Sequence, residues 1–335
     1  MSRIAVVVPI RPTARSGNDV TAARWAGLLS ELGHEVVTAP VIEAEEPDAA
    51  TAAALADADA LLVLHALRSA KVVEWWERRV PARPLIVALT GTDLYLDLPE
   101  SPAARRSVEA ADALIVLQRS AVDRLAGLDP SWAEKARVVH QSVDPALVPD
   151  RTPAPDELRV VVLAHLREVK DPLLAARAAR LLPDSSRVVV HHVGAALDDG
   201  WRAAAETEAA ENPRYRWHGE LDHRAAMRML ATADVLACTS VEEGGANVVT
   251  EALAVGAPVI GTRMDGNTGL LGEDHPGLVP VGDHEALSEL LARIEAEPEL
   301  LAELQGRTDA LRPITDPATE RTALAEVVRL SGASA

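Results

Sequence analysis

Short runs of Val, Ile and Leu alternate with longer, Ala-rich amphipathic runs along most of the chain. Ile4 to Val8, Ala60 to Leu64, Leu85 to Leu89, Ala113 to Leu117 and Val138 to His140 are near-continuous apolar stretches of strand length, as expected of parallel strands covered on both faces by helices. The rhythm then breaks at Pro145, Pro149, Pro153 and Pro155, which read as a linker. It restarts with strands expected near Arg159 to Ala164, Arg187 to Val193, Tyr215 to His218, Asp234 to Cys238 and Pro258 to Gly261. The pattern predicts an α/β protein with two Rossmann-like domains, 1–150 and 151–315. A last helical run, about Ala318 to Leu330, follows a hinge-like segment at Pro313 to Pro317, so residues 316–335 are expected to pack back on the first domain. Ligands of such sheets bind beyond the carboxyl ends of the strands, which places function in the loops after strands, in a cleft between the domains.

A length of 335 residues suits two domains with real cores. The hydrophobic fraction of 48% rests on Ala, Leu and Val with no Phe, consistent with helices packed on buried strands and inconsistent with disorder. A formal net charge of -18 argues against nucleic acid or an anionic membrane surface as the main partner, because both draw affinity from many Lys and Arg contacts. The N-terminus enters a strand without a signal-peptide pattern, and no apolar run approaches the roughly 20 residues of a membrane span. A cytoplasmic location is expected. The single cysteine, Cys238, excludes an intrachain disulfide and reads as a small core residue.

The strongest chemical signal is EGGANVVTEAL, Glu243 to Leu253, between two expected strands. Two glycines before a helix start bring backbone N–H groups and the positive end of a helix dipole to the sheet edge, suited to a diphosphate. Glu251, one to two turns into the helix, is placed to accept hydrogen bonds from ribose hydroxyls, while Glu243 lies in the loop on the sugar side. The plainer alternative makes Glu251 a dipole partner and Glu243 a solvated acid. After the strand Arg159 to Ala164, HLREVKDP places Arg167 and Lys170 where a departing diphosphate would be neutralised, or forms an exposed helix-entry cluster. In the first domain, Gly17 and Asn18 open a helix after the first strand. Gly17 permits close approach of a sugar or phosphate, and Asn18 is placed either to cap the helix or to touch ligand. His65 ends the strand Ala60 to Leu64, and Thr90 and Asp93 belong to the TGTD run after Leu85 to Leu89. The neighbours His191 and His192 point to opposite faces of a strand and cannot pair on a metal.

The separation of Glu243 and Glu251 by seven residues, with EALAVGAPVIGT following, resembles the retaining GT-B glycosyltransferases of family 4, over nearly the whole chain. That resemblance implies a GT-B fold, Glu243 on the transferred sugar, Glu251 on the ribose, and Gly244, Gly245, Ala246, Asn247 and Val248 around the phosphates and sugar. It also implies Gly219, Glu220 and Leu221 as a uracil-holding loop. The family usually spaces its Arg and Lys about four residues apart; Arg167 and Lys170 are closer, which favours Lys170 for the phosphate role. No carboxylate pair suggests a divalent metal beside the diphosphate, so neither metal nor cofactor is expected.

Whole blocks, including SGNDVTAARWAGLLSELGHEV, LVLHALRS, LTGTDLY, NPRYRWHGEL and EEGGANVVTEALAVGAPVIGTRMDGNTGLLGEDHPG, further resemble the selenosugar synthases of selenoneine biosynthesis. This narrower likeness implies a UDP-sugar donor, UDP-N-acetylglucosamine or a similar hexose, and selenophosphate as acceptor, with a C–Se bond formed and UDP and phosphate released. It also implies a functional link to selenophosphate synthetase and selenoneine synthase. Selenium in selenophosphate is already an anionic nucleophile, so no strong general base is required. Arg11, Arg15, Arg68 and Arg263 are candidate cations for the acceptor or diphosphate, with Arg15, Asn18, Thr90 and Asp93 expected on the acceptor and His65 near the chemistry. Competing readings are an O-glycoside-forming transferase, a nucleotide-sugar epimerase or hydrolase, and a sensor that closes on a nucleotide sugar without chemistry.

Overall fold

A computed structural model describes residues 2–10, 17–43, 45–91, 93–153 and 156–333. The chain divides into two compact units, Met1–Gln141 with Pro317–Ala335, and Ser142–Asp316. Each is built on a six-stranded, fully parallel sheet.

In unit 1 the strands are β1 (Arg3–Ile10), β2 (Glu35–Ile42), β3 (Ala60–Leu64), β4 (Leu85–Leu89), β5 (Ala113–Val116) and β6 (Ala136–Val138), in the order β2-β1-β3-β4-β5-β6. Strands β3, β4 and β5 are buried at every position. Their alternate side chains enter two separate cores: Leu61, Val63, Val87 and Leu114 join one, while Leu62, Leu64, Ile86 and Ile115 join the other. Each such burial removes enough apolar area to contribute roughly 1.5–3 kcal/mol before entropy is counted. The second of these cores includes Trp25 from the helix Gly17–Glu31 and Leu324, Val327 and Val328 from the helix Pro317–Leu330. Glu320 on that last helix is fully buried and accepts from Arg24 Nε at 2.9 Å and Trp25 Nε1 at 2.6 Å, fastening the chain's final helix to its first.

Unit 2 repeats the plan with β7 (Leu158–Leu163), β8 (Val188–Val193), β9 (Tyr215–Trp217), β10 (Val235–Cys238), β11 (Val259–Thr262) and β12 (Leu278–Val279), ordered β12-β11-β10-β7-β8-β9. Cys238 is buried in the core against Val249, Leu253 and their neighbours, and burial pushes its thiol pKa up. His191 and His192 do lie on opposite faces. His192 bonds the Tyr215 hydroxyl and the Ala164 carbonyl, whereas His191 bonds Glu157 and His218.

Two strands escape the apolar-run criterion. β2 reads EVVTAPVI and has its outward positions exposed at the sheet edge, so it alternates rather than forming a continuous run. β12 is only two residues long. No helix among the described residues is long and apolar enough to cross a membrane.

Candidate active site

The order of each sheet reverses once, at β1/β3 in unit 1 and at β7/β10 in unit 2. At such a point the loops leaving the two adjacent strands diverge to opposite sides and leave room for a ligand at the carboxyl edge. The residues singled out from sequence collect at these two edges.

In unit 2 the loops after β7 and β10 are joined through backbone and side chains. Val241 N–H donates to the Val169 carbonyl at 2.8 Å, and the Thr239 hydroxyl donates to the Lys170 carbonyl at 3.0 Å. This brings Lys170, the last residue of a single 3-10 turn, onto Glu243 as an ion pair. Ser240 Oγ donates to the same Glu243 Oε1 at 2.8 Å. Both charged side chains are about five-sixths buried, at 17% and 15% exposure, where partial desolvation makes their pairing stronger than on an open surface. Behind Lys170, Asp171 adopts a left-handed conformation (φ 36°), with its carboxylate bonded to Arg177 at 2.8 Å. The residue following the lysine is thereby fixed in a backbone state that few non-glycine residues adopt.

The loop carrying Glu243 is also braced from β11 and the helix Asp265–Leu271. Thr262 Oγ1 donates to the Ser240 carbonyl at 2.5 Å, and the Asn267 amide donates to the Cys238 and Thr262 carbonyls. Gly266 packs so closely that a Cβ there would stand 2.5 Å from the Glu243 carbonyl oxygen. Only glycine permits that approach.

Gly244, Gly245 and Ala246 lead into the helix Asn247–Val255, whose N-cap Ala246 provides no side-chain cap. Val248 is half-buried in its first turn. The start of this helix therefore presents backbone donors without a capping oxygen from that residue, an arrangement receptive to an anion. Glu251 follows on the same helix with 17% of its side chain exposed and bonds His223 Nε2 through Oε1 at 2.8 Å. The hydrogen bond to Glu251 raises the His223 pKa above its ordinary value. Just before His223, Gly219 takes a left-handed conformation (φ 68°) and accepts from Gly194 N–H, with Glu220 exposed and Leu221 half-buried. Arg167 is exposed at the start of the turn that ends in Lys170. Arg263 donates to the Glu273 carbonyl and pairs with its carboxylate at 3.7 Å.

The edge of unit 1 is occupied differently. Asn18 lies inside the helix Gly17–Glu31 and does not cap it; its Oδ1 accepts from the Thr90 hydroxyl at 2.7 Å. Gly17 is exposed at the helix start. Asp93 is fully buried and accepts from the backbone N–H groups of Ala66 and Gly91, at 3.1 and 2.9 Å, so it ties the loop after β3 to the loop after β4. His65 holds a left-handed backbone (φ 71°) at the end of β3, with Nδ1 4.0 Å from Asp93 and Nε2 3.7 Å from Asp97. Burial lowers its pKa against the opposing pull of Asp93. Arg68 pairs with Glu43 at 3.3 Å. Arg11 and Arg15 fall outside the described residues. Among the described residues no group of three or more His, Cys, Asp or Glu is arranged to hold a metal ion.

Sequence reasoning missed His223, Ser240, Thr239, Asn267 and Gly266. His223, Thr239, Asn267 and Gly266 act through contacts between segments distant along the chain, which no local spacing announces, whereas Ser240 reaches Glu243 only three residues on, within the same loop.

Residues 147–308, nearly the whole of unit 2, match the Glycosyl transferases group 1 family. Over these residues unit 2 is similar to group 1 glycosyltransferases. Among curated relatives, the D-inositol 3-phosphate glycosyltransferase of Mycobacterium sp. (strain KMS) is 29% identical over 222 residues, 59% of this chain and 49% of that protein. The enzyme of the same name from Mycolicibacterium gilvum (strain PYR-GCK) is 28% identical over 236 residues, 65% of this chain and 50% of that protein. The chain thus spans about half the length of the curated relatives it matches. Across both units the fold is GT-B, as in the solved structures it resembles. Anabaena Alr3699/HepE in complex with UDP-glucose aligns at TM-score 0.78 and 16% identity, covering 98% of this chain and 100% of that one. Sucrose-phosphate synthase from Thermosynechococcus elongatus aligns at 0.72 and 16% identity, with 100% of each chain covered. Unit 2, the part of the chain similar to these glycosyltransferases, carries the Lys170–Glu243 and His223–Glu251 pairs, while unit 1 carries the second Rossmann-like sheet.

Proposed function

We propose that the protein is a UDP-sugar glycosyltransferase whose donor is held by the glycosyltransferase domain, and that its acceptor is selenophosphate. The observation that carries the donor half is the Lys170–Glu243 pair at the sheet reversal, next to a helix start without a side-chain cap. UDP and UDP-glucose complexes of Anabaena Alr3699/HepE accord with the same donor class.

In this reading the diphosphate lies against the start of the helix Asn247–Val255, with Lys170 as its counter-cation. Negative charge grows on the β-phosphate as the bond to the anomeric carbon breaks, so a fixed ammonium there favours the transition state over the bound donor. Glu243, held by Lys170 and Ser240, accepts from sugar hydroxyls, and Glu251 accepts from the ribose. Arg167 adds a second, exposed cation. Selenium attacks the anomeric carbon, the C–O bond to the diphosphate breaks, and its electron pair leaves with UDP. Water then cleaves the Se–P bond, releasing phosphate and the selenosugar. The selenium nucleophile is anionic before it reacts, so no protein base is needed. Neither a metal nor a cofactor takes part.

The acceptor half rests on the resemblance of whole sequence blocks to selenosugar synthases. Arg15 and Arg68 are the proposed cations for selenophosphate, with Asn18, Thr90 and His65 beside it. The deciding experiment incubates purified protein with UDP-N-acetylglucosamine, with and without selenophosphate, and reads products by mass spectrometry. A sugar with the selenium isotope pattern, formed only with selenophosphate and accompanied by UDP, is expected. Indifference to selenophosphate with glycosylation of a hydroxyl acceptor would leave the donor reading and overturn the acceptor. UDP release with neither acceptor would favour a hydrolase.

A further inference from the structure

His223 opens the helix His223–Ala231, and its imidazole lies across from the helix Asn247–Val255. Its Nε2 is 2.8 Å from Glu251 Oε1. A carboxylate only accepts, so the imidazole must carry its proton on Nε2 and donate. Side-chain exposure is 51% for His223 and 17% for Glu251, so the histidine is in reach of solvent while the carboxylate is largely withdrawn from it. The charged groups acting on His223 are Glu251 from the facing helix and Asp222 from its own N-cap, both acids.

We propose that His223 is a positioning residue for the donor nucleoside: it fixes the Glu251 carboxylate through Oε1 and thereby aims Oε2 at a ribose hydroxyl. The inference rests on the reading of Glu251 as the ribose acceptor and adds a control that reading lacks. A protonated imidazole makes a charge-assisted bond and holds the carboxylate firmly; a neutral one donates a weaker bond. The sign follows from the raised pKa of His223. The imidazolium pair is complete below the histidine's ordinary range and is lost as pH rises through its elevated folded value. Donor affinity should therefore fall with rising pH, in a range where the donor's diphosphate diester does not titrate.

The test is calorimetric titration of the full chain with UDP-N-acetylglucosamine between about pH 6 and pH 9, a range that spans histidine ionisation. Wild type should lose roughly three- to tenfold in affinity across it, the difference between a charge-assisted and a neutral hydrogen bond. His223→Gln, which keeps a donor but cannot titrate, should bind with an affinity near the wild-type high-pH value and show no pH dependence. Glu251→Ala should lose both affinity and pH dependence. If Glu251→Ala binds as wild type does, the ribose reading fails and takes this inference with it. If Glu251→Ala weakens binding but wild type is flat with pH, or His223→Gln keeps the slope, the ribose reading stands and the role of His223 is overturned. Thermal melting of each variant separates these outcomes from unfolding.

Discussion

The two sheets are built alike, yet their carboxyl edges are furnished in opposite ways. At the edge of unit 1 the Thr90 hydroxyl donates to Asn18 and the buried Asp93 carboxylate accepts from Ala66 and Gly91, so these two side chains are closed on a neighbour or on the backbone, beside the Arg68–Glu43 ion pair. At the edge of unit 2 the pairs are partly exposed and involve a charge, Lys170 with Glu243 as an ion pair and His223 hydrogen-bonded to the Glu251 carboxylate. A buried side chain already closed on a neighbour or on the backbone has little reason to exchange its partner for a ligand. An ion pair at a half-open edge can be redistributed when a ligand brings its own anion and hydroxyls, because each charge finds a replacement. On the proposed reading, Thr90, Asn18 and Asp93 chiefly hold the unit 1 loops that would meet the acceptor, while the unit 2 edge receives the donor.

The largest effect is expected at Lys170. Lys170→Ala should lower kcat by about a hundredfold with a much smaller change in donor affinity, because the ammonium matters most as the diphosphate departs. Unchanged kcat with only a raised KM would contradict this and make the pair a ground-state contact. Next, Glu251→Ala should weaken UDP binding by about 1–3 kcal/mol through the lost hydrogen bonds, measured by calorimetry. In unit 1 the corresponding change should read out as stability. Asp93→Asn places an amide donor against backbone N–H groups and should cost about 1–2 kcal/mol in denaturant unfolding, with UDP affinity unaltered. A loss of UDP affinity in that variant would erase the contrast between the two edges. The smallest expected effect is that of chelation. Turnover should be the same in excess chelator as in buffer, and abolition by chelator with rescue by magnesium or manganese would require a metal beside the diphosphate.

Much of this was legible in the residues themselves. The buried strands β3 and β4 have the bounds of their apolar runs, because a strand covered on both faces must be apolar throughout. The edge strand β2 was not legible by that criterion, since half of its positions face away from the core. Glu243, Gly244, Gly245 and Glu251 stand out because a loop with two glycines leading into a helix is a local pattern. Their partners do not: His223 matters only once the helix Asn247–Val255 and the helix His223–Ala231 are folded together, and Ser240, though only three residues from Glu243, has no pattern that distinguishes it from any other loop serine. Asn18 is a case where the sequence leaves two roles open, helix cap or ligand contact. Of the two, the cap is set aside, because Asn18 lies within the helix Gly17–Glu31 and its Oδ1 accepts from the Thr90 hydroxyl.

The most direct test of the central claim, that unit 2 holds the nucleoside diphosphate, is hydrogen–deuterium exchange of the whole protein with and without saturating UDP. The account predicts the strongest protection in the segments 239–255 and 219–223, which carry Glu243, the helix start, Glu251 and His223, with 60–97 of unit 1 changing less. Strong protection in 60–97 with none in 239–255 would contradict it.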